Sequence, residues 1–202
     1  MRIWLAVIAL LFAAPALAVT QPRDITAPGT VPHSAARAGF PENVGALRRI
    51  GVTRFSEQDI SGSYQLERDG DYVRISVYIY PAPPVRENQR VAACRAHMDG
   101  VVAAVARQHI GAELVENGVA DPLPGVAEGL GLRSLHNVEF PLRGRALEPT
   151  QSESRLYCYV GGDWLVKYRI SANPGFDVDD LVDELIRSGP WPGRGPGSIA
   201  MR

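Results

Sequence analysis

The sequence predicts an α+β fold: an antiparallel sheet of about six strands with two helices packed on one face, a two-layer sandwich. Two pairs of alternating stretches flank tight-turn residues, at Asp69-Gly70 and at Gly161-Gly162-Asp163. Two other stretches, 85–109 and 178–188, repeat apolar residues at three- and four-residue steps. Strands joined by short turns, with only two helices, favour antiparallel pairing with the helices gathered on one side.

The chain opens with Arg2, an apolar run over 3–14, then Pro15 and Ala16-Leu17-Ala18, the order of a cleavable secretory signal. That run is shorter than the roughly 20 apolar residues a spanning helix needs. Residues 1–18 are therefore expected to be removed, leaving a periplasmic or secreted protein without stable membrane insertion. Residues 19–40 carry Pro22, Pro28 and Pro32 with no apolar period and read as a flexible leader. A single domain is expected over 41–190, with a Gly/Pro-rich flexible tail over 191–202.

Within the domain, a first strand is expected near 47–55. The hairpin that follows has one register that satisfies both faces. Leu66 opposes Val73, Tyr64 opposes Ile75 and Gly62 opposes Val77, while Glu67, Gln65 and Ser63 oppose Tyr72, Arg74 and Ser76. Pro81, Pro83 and Pro84 lead into a helix over 85–109, whose stripe is Val91, Cys94, Met98, Val101, Val102 and Val105, with Gly111 past its end. Residues 111–131 read as loop with a short strand at 114–115, and 132–140 alternates again. The second hairpin joins 154–160 to 164–170. A three-residue loop sets Val160 against Trp164 and Cys158 against Val166, whereas a two-residue loop would set Leu156 against Lys167, a poor match. Asp177 can cap the last helix, Val178, Leu181, Val182, Leu185 and Ile186 form its stripe, and Gly189-Pro190 stops it.

Charge narrows the function classes. The 21 basic residues face 22 acidic ones, without the basic excess of a nucleic-acid binder, so no nucleic-acid partner is expected. Only Lys167 among the basic residues is lysine; GC-rich coding is the simplest cause of that bias toward arginine. An even cysteine count in an oxidising compartment favours a disulfide between Cys94, on the helix stripe, and Cys158, on the inward face of its strand. A metal site using Cys94, His97, Cys158 and His136 would lack the second closely spaced ligand pair of structural zinc, so no metal is expected. No cofactor is expected either: there is no nucleophile elbow, zinc-protease helix or phosphate loop, and Gly125, Gly129 and Gly131 do not join a strand to a helix. The acidic run from Asp177 to Glu184 is explained by capping and lacks the loop glycine and terminal glutamate of an EF-hand.

Two places could carry function. His136 shares a face with Val138 and Phe140, as a core histidine or as the working residue of a small hydrolase or transferase. If both helices cover one face, the other carries Tyr72, Arg74, Tyr78, Tyr80, Arg155, Tyr157, Tyr159, Lys167 and Arg169. Tyrosine and arginine are enriched at recognition surfaces, and the cations suit an anionic ligand or an envelope protein. Ligand-binding residues are therefore expected at Tyr72, Arg74, Tyr78, Tyr157, Tyr159, Lys167 and Arg169, in a binding module rather than an enzyme. Cross-strand pairing of aromatics and charges on an ordinary solvated face is the plainer alternative.

The segments Ser154-Arg155-Leu156-Tyr157-Cys158-Tyr159 and Trp164-Leu165-Val166-Lys167-Tyr168-Arg169, followed by a terminal helix, resemble small exported bacterial α/β proteins of unknown function. The run Val77-Tyr78-Ile79-Tyr80-Pro81 fits the same pattern. At fold level, the order of elements over 45–188 resembles the PsbP/Mog1-type sandwiches. The resemblance implies a fold and an exported location but carries no active-site residues, and Cys94 and Cys158 have no place in its pattern.

Overall fold

The structure is a computed structural model that describes residues 21–68, 70–121, 123, 126–140 and 148–193. The signal expected at 1–18 lies outside the described residues, as do residues 194–202 of the expected tail. The described residues form eleven strands and two α-helices: β1 (Arg23–Ile25), β2 (Val31–His33), β3 (Ala38–Phe40), β4 (Asn43–Val44), β5 (Leu47–Arg54), β6 (Ile60–Arg68), β7 (Asp71–Pro81), α1 (Arg90–Gln108), β8 (Glu113–Val119), β9 (Gly131–Phe140), β10 (Glu148–Val160), β11 (Trp164–Ala172) and α2 (Asp179–Ser188). Nine strands form one antiparallel sheet ordered β1-β5-β6-β7-β11-β10-β9-β8, with β4 also on β5, while β2 and β3 pair separately.

The two-layer expectation fails on both strand count and helix placement. Successive residues of a strand point to opposite faces, and β10 and β11 show which helix meets which. Leu156, Cys158 and Leu165 pack with Cys94 and Met98 of α1. Tyr157, Val166, Tyr168 and Ile170 belong instead to the core that takes Val182, Leu185 and Ile186 of α2. The helices therefore lie on opposite faces of the sheet. Two separate apolar stripes do not say which face each will choose; β10 is buried without interruption from Ser152 to Val160, which shows that both of its faces are covered.

The first hairpin has the register expected of it, from Leu66–Val73 to Gly62–Val77. The second keeps Val160 opposite Trp164, then slips by one residue, so that Tyr157 opposes Val166 and Leu156 opposes Lys167. The pairing dismissed as a poor match is thus the one present beyond the turn. Tyr159, with φ of +56°, sits in the bulge that absorbs the extra residue. The bulge also places Cys158 and Tyr159 with the α1 cluster while Val160 joins the other core.

Residues 21–40 do not behave as a flexible leader. They contain three short strands, and Val31, His33, Ala36, Ala38 and Phe40 are buried. The β2–β3 hairpin lies over the α2 face, where Phe40 occupies the space a side chain at Gly62 would fill. Arg49 fastens the segment by donating to the carbonyls of Ala27, Gly29 and Phe40. Trp191, expected in a loose tail, is buried against Tyr157 with ring centroids 5.9 Å apart, and Gly193 N–H donates to Ala36 O at 2.9 Å.

A charged network ties α2 to the same face. Glu153, buried, accepts from Arg133 at 2.8 Å and from Arg155 at 2.5 Å, and Arg155 reaches Asp179 in the first turn of α2. Asp177 contributes a cap-like bond, accepting from Asp179 N–H at 3.0 Å. Burial works against the Arg155 charge, but its bonds to Glu153 and Asp179 outweigh that and hold its pKa above the ordinary value.

The close seat of Phe40 on Gly62 yields a test. Gly62→Ala forces that ring to shift in a packed core, a change that costs about 1–3 kcal/mol. Urea unfolding should show a lower midpoint with an unchanged slope, and Phe40→Leu in the same chain should recover part of the loss. An unchanged midpoint would mean that residues 31–40 do not pack there.

Candidate functional site

Register across five strands builds the site. On the α1 side of the sheet, Ser63, Ser76, Arg169, Ser154 and Ser134 form one cross-strand row. The next row is Gln65, Arg74, Ser171, Ser152 and His136, and the row on the other flank is Ser61, Tyr78, Lys167, Leu156 and Leu132. This polar grid departs from an apolar strand face because Ser134 of β9, Ser152 and Ser154 of β10 and Ser171 of β11 stand where apolar side chains would.

Helix α1 covers only the β9–β10 end of the grid. Its Cys94 is joined to Cys158 by a disulfide, with Cα atoms 5.9 Å apart. Residues of β6 and β7 remain outside the helix, and Arg74 is exposed. Between α1 and β11 runs a cleft of 380 Å³, lined on the helix by Ala96, His97, Gly100 and Ala104 and on the sheet by Ser154, Lys167 and Arg169. Small residues at four-residue steps on α1 keep the cleft open. A second cavity of 170 Å³ shares Arg169 and Gln108 with it and adds Arg74, Ser76, Tyr78 and Ser171. Neither lining contains a carboxylate among the described residues.

Lys167 lies half-buried in this cleft with Nζ 4.5 Å from the centre of the Tyr78 ring and 6.0 Å from that of Tyr80, a cation–π placement. Burial first, then the positive charge of Arg169, lowers its pKa, with Asp59 acting in the opposite sense. Tyr80 Oη and His97 Nε2 share a hydrogen bond of 2.7 Å. Burial pushes the Tyr80 phenol above its ordinary range, and burial with the Lys167 charge pushes His97 down.

At the deeper end, Arg169 donates to His109 Nε2 at 3.2 Å, and the His109 ring stands edge-on to Phe140. A guanidinium can only donate, so His109 is neutral with its lone pair on Nε2. His136 is 2 % exposed, and neither ring nitrogen bonds to a described side chain or backbone group; the Ser134 and Ser152 hydroxyls beside it are likewise buried and unpartnered.

Of the residues expected on the uncovered face, the ligand-binding candidates Arg74, Tyr78, Lys167 and Arg169 are brought together here, and Tyr80 joins them through His97. The others are dispersed. Tyr157 and Arg155 point to the α2 face, Tyr159 sits at the start of α1 with its hydroxyl on Pro83 O and Arg90 over its ring, and Tyr72 is buried with its N–H on Asn173 Oδ1. The expected uncovered face opposite both helices does not exist, because α1 lies across part of it. His97, His109 and the serine rows were missed, although Ser152-x-Ser154 alternates with strand period in the sequence. Cys94 and Cys158 are bonded to each other, which removes them as metal ligands, and no group of three possible ligands gathers among the described residues.

Comparison with family models, with curated proteins and with solved structures finds no match to this chain.

All four histidines of the chain, His33, His97, His109 and His136, have pKa values lowered from 6.5, each mainly by burial. His33 shows how the neutral form is held: Ala36 N–H donates to Nδ1, leaving Nε2–H to donate to Ile79 O at 3.3 Å. A group whose folded pKa is depressed binds its proton more readily when unfolded, so stability is full above 6.5 and falls as pH drops below it. Thermal denaturation should give a Tm that is flat from about pH 8 to 7 and falls steeply from about 6.5 to 5, above the ordinary carboxylate range. A flat Tm down to about pH 5 would contradict the buried neutral histidines.

Proposed function

We propose that this chain is an exported, non-enzymatic binding protein of the cell envelope that holds an anionic ligand in the cleft between α1 and β11. The observation that carries the reading is a cleft and its neighbouring cavity lined by Lys167, Arg169 and Arg74, with no carboxylate on either wall among the described residues. Serine hydroxyls of the same rows supply neutral hydrogen bonds, and the Tyr78 ring gives one wall an apolar surface. Low-dielectric walls strengthen each charge contact relative to water. Export is supported by the signal-like start of the sequence and by the disulfide, which persists in oxidising compartments. No helix among the described residues is long and apolar enough to cross a membrane.

The alternative, a small hydrolase or transferase working through His136, draws on that ring's unpartnered nitrogens and on Ser152 across the strand pair. Such chemistry needs a nucleophile hydrogen-bonded to the base, and no such bond is made among the described residues. The binding reading therefore rests on more of the geometry.

Calorimetric titration with citrate tests it. The wild-type protein should bind with Kd between about 1 μM and 1 mM. Arg169→Ala should weaken binding about tenfold or more, the loss expected for a charge-assisted hydrogen bond of roughly 1.5–3 kcal/mol. Lys167→Ala should weaken it similarly, and Arg48→Ala, at an exposed site on β5, should leave it unchanged. Equal affinity in all four proteins, or no heat in any, contradicts the assignment.

A further inference from the structure

We propose that Lys167 is a nucleophilic amine that condenses with the carbonyl carbon of a small anionic aldehyde or 2-oxo acid held in the cleft. The inference rests on the anion-binding reading and names the chemical class of the ligand.

The first support is residue type. The chain carries twenty arginines, and charge alone could have been met by one more at position 167. An arginine side chain is never deprotonated in proteins and cannot act as an amine nucleophile; a lysine can. The single lysine of the chain stands in the larger cleft.

The second support is its surroundings. Lys167 makes no ion pair with a carboxylate among the described residues; its Nζ rests on the face of Tyr78 instead. Leu156 is its cross-strand neighbour on one side and Tyr78 on the other. Arg169, two residues along the same strand face, adds a second cation. Desolvation and a neighbouring positive charge are the two devices that raise the uncharged fraction of a lysine and activate it toward carbonyls. Both act on Lys167, with burial the larger, while Asp59 and the Tyr78 ring face favour the charged form.

The third support is a division of labour across the cleft. Arg169 can hold the carboxylate of a 2-oxo acid by paired hydrogen bonds, which sets the adjacent carbonyl toward the amine. The hydrogen-bonded Tyr80–His97 pair beside Lys167 can pass a proton. The step balances without any redox partner. The amine lone pair forms a C–N bond, the carbonyl oxygen takes a proton, and the resulting carbinolamine loses water as the C=N bond forms. Both amine protons leave in that water, and hydration reverses the step.

Reductive trapping tests this on the full-length mature protein. Glyoxylate is the anionic probe and propanal the neutral one, each with cyanoborohydride to reduce an imine to a stable secondary amine, followed by peptide mapping. The N-terminal amine of the same molecule serves as internal reference. Lys167 should be labelled by glyoxylate at least about tenfold faster, relative to that reference, than by propanal. Arg169→Ala should abolish the preference for glyoxylate while propanal still labels Lys167. Labelling of the N-terminus but not of Lys167 by either aldehyde overturns the amine assignment and leaves the citrate result standing. Equal relative labelling by both aldehydes overturns the anionic class while leaving the amine reactive.

Discussion

The bond between Cys94 and Cys158 decides where the first helix lies, and the cleft follows from that position. Cys94 and Met98 of α1 pack on Leu132, Leu156 and Leu165, an apolar patch confined to one end of an otherwise polar sheet face. Such a patch is a small area on which to seat a nineteen-residue helix. In the chain-entropy view, a disulfide closing a loop with a sequence separation of 64 stabilises by about 4 kcal/mol. The helix can then span polar ground beyond the patch without needing apolar contact along its whole length. Over that ground its small residues leave room, and Lys167 and Arg169 stand opposite them.

The other face explains how the molecule tolerates this arrangement. Phe40, Tyr64, Ile75, Val77, Tyr168 and Leu185 are all buried in one large core roofed by the β2–β3 hairpin and α2. With that core on one side, the sheet can carry serine, histidine and arginine on the other. The two helices thus have different tasks, and their sequences show it. α2 has a compact apolar stripe and is held by core packing and the Arg155–Asp179 contact. α1 has a broken stripe, with Val91 exposed and Val101 and Val102 half-buried, and is held by a covalent bond.

Much of the local structure was legible in the sequence. The Leu66–Val73 hairpin, both helices and the Cys94–Cys158 pair follow from alternation, stripe and cysteine count. What failed were the statements that depend on long-range geometry. Periodicity shows that α1 and α2 each have an apolar side but does not choose the face of the sheet. The three strands in 21–40 are too short for any alternation to emerge, and their proline content reads as a break even though Val31, Ala38 and Phe40 are core residues. The β8 strand is an exposed edge, so its pattern lacks the apolar alternation that burial imposes. The bulge at Tyr159 moved Cys158 and Val160 to opposite sides, and only a backbone in the left-handed region reveals it. The candidate site was half legible: Arg74, Tyr78, Lys167 and Arg169 share a face by simple alternation, whereas His97 and His109 join them only once α1 is laid over β9 and β10, alongside β11.

Hydrogen exchange resolved along the chain tests most directly whether the disulfide holds the helix that makes the cleft. In the oxidised protein, amides of α1 should be protected and citrate should slow their exchange further. In Cys94→Ala/Cys158→Ala, the account predicts that α1 exchanges at least about tenfold faster while β7 and β11 keep most of their protection, and that citrate no longer slows it. Protection of α1 that is unchanged without the bond, with the citrate effect intact, would contradict it.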